Sequence, residues 1–214
     1  MRNDWPILDP SKRDWFERHP LAVAFDLLGM EFVVDREGST TSGRIVEVEA
    51  YGGPEDLASH ASNLKAGKEA LYNEVGRLYM YRSYGIHTML NIVAHEPDIA
   101  GAILIRALEP LTGIPTMQER RGTETLRLLT SGPGVLCQAL GLRLTDNRYD
   151  LIEESSIRLM PGTPPECVIC GPRIGISKSI DHPWRLFDAN SAYISSHRRG
   201  QVVDRSTLVF EDRS

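Results

Sequence analysis

The chain has 214 residues, of which 41% are hydrophobic and 25% charged, and its net charge at neutral pH is −5. This length suits one domain with a sizeable core, and we expect a single domain over residues 1–214. No apolar run reaches the length of a membrane span, so no membrane partner is expected. The acidic balance argues against nucleic acid as a partner, but only weakly, because binding needs no more than a local basic patch.

The N-terminal residues lack the apolar core of a signal peptide, so we expect an intracellular protein, cytoplasmic in a bacterium and nuclear in a eukaryote. Three cysteines, Cys137, Cys167 and Cys170, are too few for a disulfide framework. Cys167 and Cys170 have the spacing of a metal knuckle, but no second cysteine or histidine pair supplies the four ligands of a zinc site. We therefore expect no metal and no cofactor.

Hydrophobic periodicity and turn residues predict the following elements in chain order. The predicted strands cover residues 43–51, 77–84, 86–94 and 101–108, and the predicted helices cover residues 20–29, 115–121 and 133–140. Short strands and loops are expected after residue 150. Because the strands precede most of the helices instead of alternating with them, we expect an α+β fold. Its curved, mixed sheet should be largely antiparallel and flanked by short helices.

The strand 43–51 carries two carboxylates on one face. Alternation places Ile45, Glu47, Glu49 and Tyr51 together. One interpretation is a solvated edge with ordinary surface acids. The other is a site at the end of the strand, where a Gly-Gly-Pro turn follows Tyr51, because sites often lie where strands run into loops. Strand phase alone does not separate Glu47 from Glu49.

The strand 77–84 is rich in tyrosine. Tyr79 and Tyr81 share one face, and Tyr84 lies beside Gly85 at the predicted hairpin tip. We assign Tyr79 to packing, while Tyr84 either covers the turn or has a function there. Together with the acidic strand, these rings predict a pocket that stacks a flat heteroaromatic ring and cleaves a bond beside it.

Two further segments carry polar groups in unusual places. Arg106 shares a strand face with Ala102, Leu104 and Leu108, and a charge among aliphatic side chains needs a partner. That partner is either a strand glutamate or a catalytic carboxylate or phosphate. The segment 131–134 opens a predicted helix with glycines, and free N–H groups at a helix start favour phosphate, although this motif alone is weak.

These segments, in this order, resemble the alkyladenine (3-methyladenine) DNA glycosylase family, in its single-domain bacterial and animal type. The resemblance extends from about residue 20 to residue 195. The matching motifs are Arg44–Tyr51, Gly53–Asp56, Ala58–His60, Leu78–Tyr81, Tyr84–Gly85, Leu90–Ile92, Ile105–Pro110, Ser131–Pro133, Leu136–Leu140 and Gly171–Ile176.

The resemblance implies a mixed α/β domain that works as a monomer, without metal or cofactor, on double-stranded DNA containing modified purines. It implies that Glu49 is the general base that activates water, with Arg106 beside it. Tyr84 would be the wedge that fills the gap left by a flipped nucleotide. The implied base pocket consists of Tyr51, Ala58, His60, Tyr81 and Asn91, and the implied contacts to the DNA backbone are Ser131, Gly132, Gly134 and Arg173.

The chain departs from the family pattern at three places. Residues 63–72 lack the usual Thr-x-Arg-Asn stretch, for which Lys65 or Lys68 could substitute. Val135 stands where a lysine is frequent, and Arg82-Ser83 replaces a pair that is usually apolar. We expect these changes to affect substrate range and affinity more than the chemistry at Glu49.

Several alternatives remain open on the sequence. Glu47 competes with Glu49 for the role of base, although neighbours on one strand cannot flank a bond from opposite sides, as paired glycosidase carboxylates do. No activated amine nucleophile stands out among the lysines, so we expect hydrolysis without strand cleavage. The chain could also be a damaged-DNA-binding protein with weakened turnover, or a nucleosidase acting on small molecules.

Overall fold

The computed structural model describes residues 9–62, 71–72, 74–196 and 199–208. Within these ranges the strands are β1 (Glu31–Arg36), β2 (Ser39–Tyr51), β3 (Leu78–Ser83), β4 (His87–Val93), β5 (Ala102–Thr112), β6 (Ile157–Met160), β7 (Val168–Gly171), β8 (Arg185–Asp188) and β9 (Gln201–Val203). The α-helices are α1 (Pro20–Leu27), α2 (Ile114–Arg121), α3 (Leu126–Thr130) and α4 (Pro133–Leu140).

The strands described form one antiparallel sheet in the order β3-β4-β5-β2-β8-β7-β9, while β1 pairs with both β2 and β6. The α+β expectation is therefore confirmed. The strand β2 is long enough to pair with different strands along one edge. Its residues 39–44 pair with β1, and its residues 47–49, nearer the C-terminal end of the strand, pair with β8. This places the end of β2 at the centre of the sheet.

The central strand pair contains a β-bulge that strict alternation did not predict. The register of β2 against β5 shifts around Glu47, so that Ile45 pairs with Leu108 while Val48 pairs with Ile105. A bulge reverses which face the following residues occupy. As a result Ile45 joins Val48 in the hydrophobic core instead of sharing a face with Glu47, and Leu108 joins the core instead of lying with Arg106.

The predicted helices occur where the local signals placed them. Helix α4 has the bounds expected from Pro133 at its start and from Gly141, whose φ of +73° ends it in the left-handed conformation. It packs on β4 and β5, and α1 packs on β2 and β5. Strand β1 and helix α3 were not predicted. Strand β1 forms a tight hairpin with β2, which follows it directly, and pairs on its other side with the distant β6. None of the helices described is both long and apolar enough to cross a membrane.

Candidate active site

A cavity of about 840 Å³ opens between the β3–β4 hairpin, the ends of β2 and β5, and the loops 58–60 and 174–176. Seven of the residues predicted for the site line this cavity: Tyr51, Ala58, His60, Tyr81, Tyr84, Asn91 and Arg106. The fold therefore brings together side chains from six separate sequence motifs.

Aromatic rings form one wall of the cavity. The His60 Nδ1 and the Tyr79 hydroxyl are 2.8 Å apart, and the His60 and Tyr81 ring centroids are 4.6 Å apart. Burial lowers the pKa of His60 and, together with the neighbouring Tyr81, raises the pKa of Tyr79 to about 12. Near neutral pH this wall is uncharged, so it suits a flat ligand that is either neutral or positively charged.

The Glu49 carboxylate lies directly beneath the cavity lining and is fully buried. Its Oε2 accepts a hydrogen bond from the Tyr51 hydroxyl at 2.7 Å and lies 3.1 Å from Arg106 Nη1. Its Oε1 accepts from the Ile174 N–H at 2.7 Å. Tyr51, Arg106 and Ile174 all line the cavity, whereas Glu49 itself does not and contacts the cavity only through these neighbours. The solvated-edge interpretation of the two strand acids is wrong.

Arg106 bridges the two carboxylates of β2. Its Nε lies 3.2 Å from Glu47 Oε1, while its Nη1 reaches Glu49. Burial opposes its charge, but Glu49 and Glu47 together raise the pKa of Arg106. The two partners considered from the sequence, a strand glutamate and the candidate catalytic carboxylate, are thus both present. Glu47 is fully buried and, unlike Arg106, does not line the cavity.

The predicted pocket residues Asn91 and Ala58 are each held by a hydrogen bond between a side chain and a backbone group. The Asn91 Nδ2 donates to the Tyr79 carbonyl at 3.0 Å, which fixes the amide on β4. The Ala58 N–H donates to Asp56 Oδ1 at 3.1 Å, and Asp56 Oδ2 also accepts from the Gly52 N–H. Asp56 therefore organises the loop that follows β2 and carries Ala58 into the cavity.

Arg173 is not at the surface, which contradicts the expectation that it contacts the DNA backbone. Its side chain is fully buried, and its Nη1 and Nη2 donate to Asp56 at 2.6 and 2.8 Å. Its guanidinium carbon also lies 4.7 Å from the centre of the Tyr51 ring. Arg173 thus supports the β2 loop and the back of a cavity ring, because both of its Nη groups are already engaged inside the protein.

Tyr84 projects from the tip of the β3–β4 hairpin with 91% of its surface exposed. Its φ of +50° lies in the left-handed region, where a non-glycine residue is strained, and Gly85 follows at +69°. The Ile86 N–H donates to the Ser83 carbonyl and closes the turn. A strained turn that presents an aromatic ring to solvent beside a cavity is typical of a functional position. Arg82 and Ser83 also line the cavity.

The start of α4 packs beside this hairpin. A Cβ atom added at Gly134 would lie 2.9 Å from the His87 ring, so only glycine permits the approach. The Ser131 hydroxyl donates to the Arg127 carbonyl, and Pro133 lines the cavity. Contact of Ser131, Gly132 and Gly134 with a DNA backbone stays a prediction. Lys65 and Lys68 lie outside the described residues.

Several lining residues were not assigned to the site from the sequence. The assignment of Tyr79 to packing is confirmed, because Tyr79 belongs to the hydrophobic core, but its ring also lines the cavity. The strand face that it shares with Tyr81 was the available signal for this second role. The loop residues Ile174, Gly175 and Ile176 also line the cavity, and their motif Gly171–Ile176 had been matched without a role for them. The hydrogen bond from Ile174 to Glu49 has no sequence signal, because it joins distant segments.

In the described part of the chain, no group of three or more His, Cys, Asp or Glu side chains is arranged to hold a metal ion. The cysteines are free, and burial raises the pKa of Cys170 to about 11. The thiol at Cys170 is therefore protonated near neutral pH.

Residues 14–192 match the methylpurine-DNA glycosylase family. A protein of Chlorobaculum tepidum is 45% identical over 190 residues, which cover 87% of this chain and 91% of that protein. One of Rhizobium johnstonii is 44% identical over 186 residues, covering 86% of this chain and 89% of that protein. Both carry the name "Putative 3-methyladenine DNA glycosylase". Since the family match spans most of the chain, the protein belongs to the methylpurine-DNA glycosylase family.

Proposed function

We propose that this protein is a DNA glycosylase of base-excision repair that hydrolyses the N-glycosidic bond of alkylated or deaminated purines in duplex DNA. The observation that carries the proposal is the Glu49 carboxylate, held by Tyr51 and Arg106 directly beneath an aromatic cavity. Family membership and the names of the relatives support purine lesions as the substrate class.

The cavity has the properties that an extruded purine requires. A base inside a duplex must leave the stack before an enzyme can act on its glycosidic bond. The cavity volume of about 840 Å³ falls within the usual size of small-molecule pockets, roughly 300–1,000 Å³. Stacking on aromatic rings contributes roughly 1–3 kcal/mol per base. A purine made cationic by alkylation gains a further cation–π attraction to Tyr51, Tyr79 and Tyr81.

In the proposed reaction, Glu49 accepts a proton from a water molecule while the water oxygen forms a bond to C1′ of the extruded nucleotide. The bond from C1′ to the purine nitrogen breaks, and the electron pair leaves with the base. A cationic purine departs as a neutral molecule, so one carboxylate suffices. A neutral lesion also needs a proton on the leaving base. Because water is the nucleophile, the product is an abasic site in an intact strand.

Base release from a panel of duplexes tests this function. We expect the purified protein to release 3-methyladenine or 7-methylguanine from duplex DNA, with an affinity that falls as salt rises, because DNA binding releases counterions. Turnover of free nucleosides without salt-dependent DNA binding would instead support a small-molecule nucleosidase. Specific binding of damaged duplex without base release in a single turnover would support a damage-binding protein.

The wedge role of Tyr84 gives a separate prediction. Replacing Tyr84 with alanine should weaken binding to a lesion-containing duplex by roughly 5- to 150-fold, because one stacking interaction with the duplex is lost. Tyr84→Phe keeps the ring and should retain the affinity. Binding of lesion-containing and undamaged duplexes by fluorescence anisotropy measures the effect. Equal affinities for Tyr84→Ala and the wild type would eliminate the wedge role.

A further inference from the structure

Glu47 is the second carboxylate of β2, and the proposed reaction does not use it. Its Oε1 accepts from Arg185 Nε at 2.7 Å and from the Ser195 hydroxyl at 2.9 Å, and lies 3.2 Å from Arg106 Nε. Its Oε2 accepts from the Ser195 backbone N–H. Glu47 thus joins β5, β8 and the C-terminal segment beneath the cavity.

These contacts constrain how Arg106 can approach Glu49. A guanidinium tends to bind a carboxylate with two parallel hydrogen bonds. Here the Arg106 Nε faces Glu47, Nη2 faces the Ser195 hydroxyl at 3.4 Å, and Nη1 lies 3.1 Å from Glu49 Oε2. Glu47 and Ser195 therefore fix the orientation in which Arg106 approaches Glu49.

Two carboxylates and two guanidinium groups meet in this cluster. Glu47 contacts Arg106 and Arg185, and Glu49 contacts Arg106. Burial opposes the charge of Glu47, but Arg106, the Ser195 N–H and Arg185 have the larger combined effect and lower the pKa of Glu47. Neutralising Glu47 would remove one negative charge from beneath the cavity, and charges interact strongly where water is excluded.

Stability alone is a weak reason for this cluster, because apolar residues of similar volume often stabilise a core as well as or better than buried ion pairs. We propose that Glu47 is a positioning residue that fixes Arg106 against Glu49 and whose charge favours cationic over neutral purines in the cavity. The proposal rests on the glycosylase function proposed above.

Three variants separate the two effects. Glu47→Gln removes the charge and keeps the side-chain shape. Its amide has a single oxygen acceptor for the donors of Arg185 and Ser195 that now bind two carboxylate oxygens. Glu47→Asp keeps the charge but shortens the side chain. Ser195→Ala removes the hydroxyl contacts to Glu47 and Arg106 without changing any charge. Asp26→Asn is the control, because Asp26 is also a buried carboxylate that pairs with two arginines, Arg18 and Arg205, and it does not line the cavity.

Base release is measured in single turnovers on duplexes with 7-methylguanine (cationic) or hypoxanthine (neutral). Varying the enzyme concentration separates the maximal rate of release from the enzyme concentration at half-saturation. For Glu47→Gln we expect a maximal rate lower by roughly 100-fold, the scale of a small misplacement of a catalytic group. We also expect a lower ratio of 7-methylguanine to hypoxanthine excision. Glu47→Asp should restore that ratio but not the full rate. Ser195→Ala should slow both lesions by roughly three- to tenfold, the worth of one hydrogen bond, and leave the ratio unchanged.

Rates are taken per folded molecule, and Asp26→Asn should excise both lesions at the wild-type rate. An unchanged maximal rate in Ser195→Ala and Glu47→Asp overturns the positioning role, even if Glu47→Gln does not fold. A wild-type lesion ratio in a folded Glu47→Gln overturns the electrostatic role. Failure of the proposed function is distinguishable, because the wild type itself would then release neither base.

Discussion

Glu49→Gln should lower base release by roughly 10²- to 10⁴-fold, the usual contribution of a general base. The substitution keeps the side-chain shape beneath the cavity but removes the carboxylate that we propose as the general base. The aromatic wall and Tyr84 are unchanged, so binding of lesion-containing duplex should persist. The expected result is therefore a protein that binds damage but releases almost no base.

Single-turnover release and binding affinity, measured on one 7-methylguanine duplex, test this prediction. Glu55→Gln is the matched control, because Glu55 is an exposed carboxylate in the loop that follows the same strand. It should release base like the wild type. Full activity of Glu49→Gln would contradict the assignment of the base, and equal losses in binding and release would indicate a structural role.

Arg173→Gln should lower the free energy of unfolding by about 3–5 kcal/mol, because it leaves a buried carboxylate without its cation. Arg173 holds Asp56 with two hydrogen bonds and also donates to the Ala50 carbonyl at 3.0 Å. Burial opposes the charge of Asp56, but Arg173 outweighs it and lowers the pKa of Asp56 below 3.8. The stability from the pair is thus present above that pH and is lost as pH falls through the lowered pKa.

Urea unfolding of the wild type and of Arg173→Gln measures the loss of stability and its pH dependence. The measurements are made at neutral pH and at pH values below the pKa of free aspartate. The difference in stability should be large at neutral pH and should shrink in acid. Arg82→Gln removes an exposed arginine at the cavity and should change stability by no more than about 0.5 kcal/mol. If Arg173→Gln left the stability unchanged and made the DNA affinity depend less steeply on salt, the result would support the phosphate contact expected from the sequence.

Much of the fold was predictable because its signals are local. Pro133 and Gly141 mark the start and the end of α4, and both lie in or next to the helix itself. Period-two alternation identified the approximate positions of β2 to β5. The bulge near Glu47 was not predictable, because it depends on how β5 aligns against β2, and a one-residue shift moves side chains to the opposite face. Strand β1 pairs locally with β2 across the turn at Glu37 and Gly38, but its other partner, β6, lies far along the chain.

For the site, the order of the sequence motifs was enough to identify the family. It also predicted the side chains that the fold brings to one cavity: Tyr51, His60, Tyr81, Asn91 and Arg106. The assignment of Glu49 as the base also comes from the motif order and stays a prediction, whereas the burial of both glutamates and of Arg173 became visible in the tertiary structure. The physical reason is that spacing along a strand defines which face a side chain occupies, whereas its charge partners and burial come from segments far away in the chain. Beneath the cavity, Glu49 meets Tyr51, Arg106 and Ile174, while Glu47 meets Arg106, Arg185 and Ser195.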